Sequence, residues 1–511
     1  MLSLEHWGNA VTQAEVAAHN MISPGPPRRP HLAVPVFWSS QFGVNIKSVG
    51  VPTYSDQVVI AQGSLSERRL CRRVGQGASE RTRRVRCREN ERQANRHVAD
   101  RVAQTVSSMA MGRFEMREQV TAIAGVHMTS TSPHQEPIRV GVVGLSASGG
   151  WAATAHVPAL AGSDGYELRA LSASSAESAR AAGEKYAVPL AFGSAQELAR
   201  SEEVDLVVVT VKVPHHLELI RPALEAGKMV LSEWPLGADL AQAEELADLA
   251  HRRGVLTGVG LQARSAPPLR YLRDLVAEGS VGRVLSTSML GWGGPWGATY
   301  DDDHAYLLDV TSGATLLSIP FGHSVDALTM VLGEFREVSA HIENLRPEVT
   351  HVTSGAVAAK STEDQIAMTG LLESGAVAAM HFRGGTSRAT GFHWEINGTQ
   401  GDLVVKADHD LWWMARLRLY GARGDDGGLV ELPVPARYQR SLTQWTERST
   451  EPACNVAHQY ALLRDQITGS LGPDEDGVPD FRHAVRRHRM LERIREAARA
   501  GRKATLAEQG A

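Results

Sequence analysis

Cysteine is nearly missing from this chain of 511 residues. Only Cys71, Cys87 and Cys454 occur, with no repeating ligand-type spacing, which argues against a disulfide framework or a cysteine-built zinc site. No run approaches the ~18 consecutive apolar residues of a membrane-spanning helix. The first residues also lack the basic-then-apolar pattern of a secretion signal, so the expectation is a cytoplasmic protein without a membrane partner. What is present, 43% hydrophobic and 22% charged residues, suits a globular chain of two or three domains with substantial cores.

Charge is unevenly spread. Residues 1–135 carry 17 Lys+Arg against 10 Asp+Glu, whereas the remainder carries 36 against 47. The opening pattern predicts a helix from Glu5 to about Met21, broken by Pro24, Pro26, Pro27 and Pro30, then short strands over 34–38 and ending near Gly50. The phrases EHWGNAVTQAEVAAHNM and PVFWSSQFGVNIKSVG resemble the C-terminal domain of flavin-dependent ferredoxin reductases over about residues 3–63, without the glycine loops that would hold FAD. Residues 64–136 are basic, with twelve arginines between Arg68 and Arg101. Arginine suits phosphate contacts, but no aromatic is interleaved and Glu80, Glu89 and Glu91 interrupt the run. A disordered linker or an out-of-frame remnant fits better than nucleic-acid binding, and Met128 then becomes a plausible start of the functional chain.

From residue 137 the pattern changes. Residues 137–144 form an apolar strand ending in Gly144; the turn 145–151 and a helix from about Ala152 follow. The fingerprint is G-x-S-x-x-G, with Gly144 allowing the tight turn, Ser146 replacing the middle glycine and Gly149 closing it; amides at such a helix start can receive a pyrophosphate. The second strand, 166–172, lacks the terminal carboxylate that grips an adenosine ribose. Ser172 and Ser174 stand there instead, which favours NADP slightly over NAD. Strands at 204–211 and 229–232, alternating with helices at 195–200 and 217–226, predict a doubly wound parallel α/β sheet, placing a Rossmann domain over 137–261.

The ordered motifs VGVVGLSASGGWAATAHVPAL, DLVVVTVKVPHH, LSEWPLG, TGVGLQARSAP, FGHSVDAL, FRGG and INGTQGDL resemble the glucose-fructose oxidoreductase, inositol dehydrogenase and rhizopine catabolism (Gfo/Idh/MocA) family over about residues 137–495. Within it, the pattern is most like the galactose-regulon repressor branch. The resemblance implies an NAD(P) cofactor, a second α/β domain over 262–511 with a large open, mostly antiparallel sheet, and a homo-oligomer, dimer or tetramer. It places Thr210, His216, Glu233, Trp234 and Pro235 at the cofactor and His323 near the substrate.

Two chemical groups are missing. The enzymes of the family carry Glu-Lys-Pro, whose lysine relays a proton while hydride passes to nicotinamide. Here the motif is Glu233-Trp234-Pro235, and tryptophan is neither acid nor base, although it can stack on nicotinamide or a sugar face. The family's aspartate four residues before the histidine is Ile319. Lys212, after the strand ending near Thr210, is a candidate to reach the cofactor ribose or to relay the proton, a task that falls to either His323 or Lys212. Arg264 is a candidate for a substrate oxygen. The run GWGGPWGATYDDDH offers Trp292, Trp296 and Tyr300 as aromatic faces for a sugar or polyol, and Asp301–Asp303 lack the alternate spacing of a calcium loop, so no metal is expected. Second-domain strands are predicted at 283–289, 335–345, 365–371, 376–383, 393–397 and 403–406, helices at 324–331, 455–466 and 481–497, and a mobile loop at 469–478. Two functions stay open. One is an NAD(P)-dependent oxidoreductase acting on a sugar, inositol or related polyol. The other is a catalytically silent dinucleotide- or sugar-sensing regulator that acts through a protein partner.

Overall fold

The computed structural model describes residues 136–388, 391–439, 451–472 and 475–506, and before them only the strands Val36–Gln41, Val44–Val49, Gln57–Ser64 and Arg69–Gly75. The chain divides into two units, Met1–Ser132 and Pro133–Ala511. In the first, Val36–Gln41 pairs antiparallel with Val44–Val49, and Gln57–Ser64 with Arg69–Gly75. Part of the stretch read as an unstructured basic linker is therefore strand. The helix expected over 5–21 lies outside the described residues.

The second unit begins with six parallel strands: β1 (Ile138–Val143), β2 (Tyr166–Ser172), β3 (Leu190–Phe192), β4 (Leu206–Val209), β5 (Met229–Glu233) and β6 (Thr257–Gly260). Their order across the sheet is β6-β5-β4-β1-β2-β3, the doubly wound arrangement in which ligands bind at the carboxyl edge where the order reverses, between β1 and β4. Every residue of β4 and β6 is buried, as expected of strands covered by helices on both faces. The covering helices start where a side chain can receive an orphan amide: Ser175 accepts from Ser178, Ser194 from Glu197 and Asp239 from Gln242.

The chain then builds a mixed nine-stranded sheet from β7 (Val284–Gly293), β8 (Phe335–Glu343), β9 (Gln365–Leu372), β10 (Val377–Gly384), β11 (Phe392–Gly398), β12 (Gly401–Ala407), β13 (Arg418–Arg423), β14 (Val430–Glu431) and β15 (Ala504–Thr505). Its order is β14-β13-β12-β11-β7-β10-β9-β8-β15, and only the β7–β10 pair is parallel. Strand β8 alternates buried Phe335, Val338 and Ala340 with exposed Arg336, Ser339 and His341, so one face packs and the other is open. The buried side shares one core with helix α1 (Gly322–Leu332), of whose 11 residues all but Met330 are buried. The run Val310–Leu332 is long and apolar enough to cross a membrane, yet 83% of its most apolar window is buried within this core.

The last two helices are α2 (Glu451–Ile467) and α3 (Phe481–Ala500). Helix α2 crosses back to the Rossmann sheet: Ala453, Val456, Ala457, Tyr460 and Leu463 share one core with Val140, Val142, Leu160, Val208 and Leu231. In the segment between the helices, expected to be mobile, three described residues have partners. Glu475 pairs with Arg270, Asp476 with Arg273, and the Val478 amide donates to Gln466 at 3.0 Å.

Candidate functional site

At the carboxyl edge of the Rossmann sheet, Gly144 holds φ +97°, and a Cβ there would stand 2.7 Å from Val211 Cγ1, so only glycine fits the turn. Ser146 and Ser148 share a hydrogen bond of 2.8 Å, and the Gly149 amide donates to the Ser146 carbonyl at 3.1 Å. Gly149 and Gly150 have φ of +115° and +104°, and a Cβ on either would meet nothing within 4 Å. The loop thus leaves open room beside its backbone, as a pyrophosphate requires. The Trp151 indole N–H next to it is buried without a partner among the described residues. Thr210 donates its hydroxyl to the Val143 carbonyl at 2.8 Å, tying β4 to β1 at the switch point. At the end of β2, Ser172 is buried while Ser174 is exposed, leaving Ser174 as the hydroxyl available there.

Three expected site residues are buried with hydrogen-bond partners inside the protein. The His216 ring is fully buried between the carbonyls of Pro235 and Val211, at 2.8 and 3.0 Å, and burial holds its pKa below the usual imidazole range. It fastens the Trp234-Pro235 turn, whose peptide bond is cis, to the loop after β4. Trp234 is itself only 4% exposed. Its N–H donates to the Ser318 carbonyl at 2.7 Å, and its ring lies 4.9 Å from that of His488. The stacking surface expected of Trp234 is therefore packed within the protein rather than open to a ligand. Trp296 is likewise buried, donating to the Ala314 carbonyl at 3.3 Å, and so is not a platform for a sugar.

Glu233 is placed otherwise. Its carboxylate lies over Gly260, where a Cβ would come within 2.7–2.9 Å of it. One oxygen, Oε1, is 3.0 Å from Nε2 of His156, whose Nδ1 is 2.8 Å from the Tyr460 hydroxyl on α2. Both His156 and Tyr460 are fully buried. Neither is visible as a site residue in sequence, because the partners stand 77 and 304 positions apart.

His323, on α1, is 3% exposed and stacks on Trp413 at 4.2 Å and 13°. Among the described residues its Nδ1 has no hydrogen-bond partner, and neither does Oε1 of buried Gln262, which follows β6. Burial pushes the His323 pKa down to about 3, as it does for His488. In the unfolded chain an imidazole titrates near ~6.5. Below that pH the unfolded state takes up protons that these two rings refuse, so stability present above ~6.5 is lost as pH falls towards 3. Urea unfolding is expected to show a lower midpoint at pH 5 than at pH 7.5, with each ring contributing up to about 1.4 kcal/mol per pH unit. Equal midpoints would mean that both rings ionise in the folded protein.

The remaining candidates are dispersed. Lys212 is exposed, with its ammonium 4.8 Å from the ring of Tyr306 in the second domain. Arg264 pairs through Nη1 with buried Asp326 at 3.2 Å. Burial alone would raise the Asp326 carboxyl, but Arg264, His483 and Arg487 together hold it well below the usual range. Half-buried Tyr300 rests edge-on against His351 at 5.0 Å, and half-buried Trp292 has an unpartnered indole N–H. Asp301 caps His304, Asp302 lies 3.5 Å from His351, and no metal-holding cluster occurs among the described residues. Ile319 is partly buried against the core and adds no proton-transfer group.

Residues 138–261 match the oxidoreductase family with an NAD-binding Rossmann fold, and residues 267–407 match the C-terminal domain of Gal80p. Dehydrogenase aclE of Aspergillus oryzae is 31% identical over 377 residues, covering 71% of this chain and 97% of that protein. The galactose/lactose metabolism regulatory protein GAL80 of Saccharomyces cerevisiae is 31% identical over 406 residues, covering 71% and 93%. The crystal structure of a super-repressor mutant of Gal80p from the same yeast superposes with a TM-score of 0.66 at 26% identity, covering 73% of this chain and 99% of that one.

Proposed function

Starting from the Gfo/Idh/MocA oxidoreductase family, to which this chain belongs, we propose that it is a catalytically silent sensor of NAD(P) and of a sugar or polyol, acting through a protein partner. The glycine loop, with its open side at Gly149 and Gly150, suits the pyrophosphate, and the Glu233 carboxylate suits a ribose diol. Ser174, with no carboxylate at the end of β2, favours NADP over NAD. Bound nicotinamide would supply a hydride acceptor or donor, but hydride chemistry at an alcohol also needs a proton relay.

The observation that carries this reading is Trp234. The family's lysine position holds an indole that is buried and hydrogen-bonded to Ser318, and Ile319 replaces the acid. A named regulator, GAL80, lies among the relatives. Turnover is the second reading, favoured by one feature: Lys212 is an exposed cation at the carboxyl edge of β4, 4.8 Å from the Tyr306 ring, placed to take the relay role. In either case a homo-oligomer is proposed, with Leu285, Leu290 and Val377 exposed along β7 and β10 as apolar contact points.

Titration of the protein with NADH and NADPH, followed by nicotinamide fluorescence, is expected to give saturable binding. A panel of sugars and polyols added with the oxidised cofactors is expected to leave the nicotinamide absorbance flat. Turnover would establish the enzyme instead, and absence of binding to either nucleotide would remove both readings.

A further inference from the structure

The buried contacts of His156 were not anticipated from the motifs. It lies within the helical segment after the glycine loop, and both ring nitrogens have partners: Glu233 Oε1 at 3.0 Å and the Tyr460 hydroxyl at 2.8 Å. The hydroxyl has one proton to give. Burial raises the Tyr460 phenol well above its ordinary pKa, so it remains a donor. Among the described residues, Nδ1 of His156 is the acceptor within reach. One arrangement then satisfies all three groups. Tyr460 donates to Nδ1, the proton of the ring sits on Nε2, and Nε2 donates to the carboxylate.

This chain has a fixed foundation. The Tyr166 hydroxyl donates to the Tyr460 carbonyl at 2.9 Å, and Gln459 Nε2 donates to the Val259 carbonyl at 2.8 Å, so α2 is tied to β2 and to β6 around the tyrosine. With Oε1 held by the imidazole, the carboxylate cannot rotate freely over Gly260. A carboxylate already oriented binds a ligand hydroxyl without first losing rotamer freedom.

We propose that His156 and Tyr460 are positioning residues that lock the Glu233 carboxylate in the orientation that receives a ribose hydroxyl of the dinucleotide. The inference rests on the dinucleotide-binding reading above. It adds that affinity is set partly by a helix about 300 residues further along the chain.

The test uses the full chain, NADH titrations followed by fluorescence, and 15N NMR of the histidine rings. In the wild type, His156 is expected to show a protonated Nε2 and a bare Nδ1. His156→Leu, which removes both contacts, is expected to weaken NADH at least about tenfold, the scale of one hydrogen bond to a charged group. His156→Gln keeps a donor near Glu233 and should recover most of that affinity, which a purely space-filling role would not produce. Tyr460→Phe keeps the ring packing, so its thermal melt reports on folding. It should mix the two His156 tautomers and weaken NADH about threefold or more. Wild-type affinity in both His156→Leu and Tyr460→Phe would overturn the positioning role while leaving dinucleotide binding intact. A wild type that binds neither NADH nor NADPH would overturn the dinucleotide reading and, with it, this role, even if NMR found the ring locked.

Discussion

Asp326→Ala is expected to destabilise the protein by about 3–5 kcal/mol, the cost of stranding buried charge by removing one partner of an ion pair. Asp326 is 1% exposed and accepts from His483 Nε2 at 2.6 Å and Arg264 Nη1 at 3.2 Å, with Arg487 Nε at 3.8 Å. Removing the carboxylate leaves Arg264 and Arg487 facing the same buried space. Arg487 keeps Glu334 and Thr329, whereas Arg264 loses the partner that holds it against α1. Asp326→Asn, which retains an acceptor but no charge, should fall between the two. Urea unfolding of the three proteins at pH 7.5 measures the series. A loss below about 1 kcal/mol for alanine would show that water enters to solvate the two arginines.

Trp234→Lys restores the residue type that the family's enzymes use, yet the expected result is damage without catalysis. The indole is 4% exposed, donates to the Ser318 carbonyl and lies against Gly322, where a Cβ would stand 2.8 Å from Nε1. The start of α1 is therefore shaped to the indole. Loss of a buried tryptophan costs about 3–5 kcal/mol, and an ammonium in its place would sit near His488, a ring that burial already keeps neutral. Even with a lysine present, Ile319 provides no carboxylate. The expected readout is a large drop in the urea midpoint and no change in nicotinamide absorbance with any polyol. A stable variant that turns over a sugar would show that one substitution is enough to give this chain catalysis.

The Rossmann half was legible because its signals are local. A valine-rich strand, Gly144 and a helix start lie within about 15 residues, and the strand–helix rhythm repeats. The second-domain strands were readable for the same reason, their buried and exposed residues alternating as in β8. What could not be read were pairings across long separations. Arg264 looked available for substrate because Asp326 lies 62 positions away, and His156 looked like ordinary helix for want of Glu233 and Tyr460. Tryptophans were ambiguous, since the same residue type serves a sugar face or a core. Burial and the carbonyl partners of Trp234 and Trp296 place them in the core, whereas Trp292 remains half-exposed. In the loop 469–478, composition gave no sign that Glu475 and Asp476 meet Arg270 and Arg273.

The return of α2 to the first sheet also bears on synthesis. Strand β1 starts at Ile138, but the helix that supplies Val456, Ala457, Tyr460 and Leu463 to its core leaves the ribosome about 300 residues later. During that interval this side of the nascent sheet has only the nearer helical residues, Ala155, Leu160 and Ala182 among them, against Val140, Val142 and Leu206. A ribosome stalled before residue 451 would thus hold a sheet only partly covered on that side, and completion of the nucleotide-binding domain waits on the carboxyl-terminal helix.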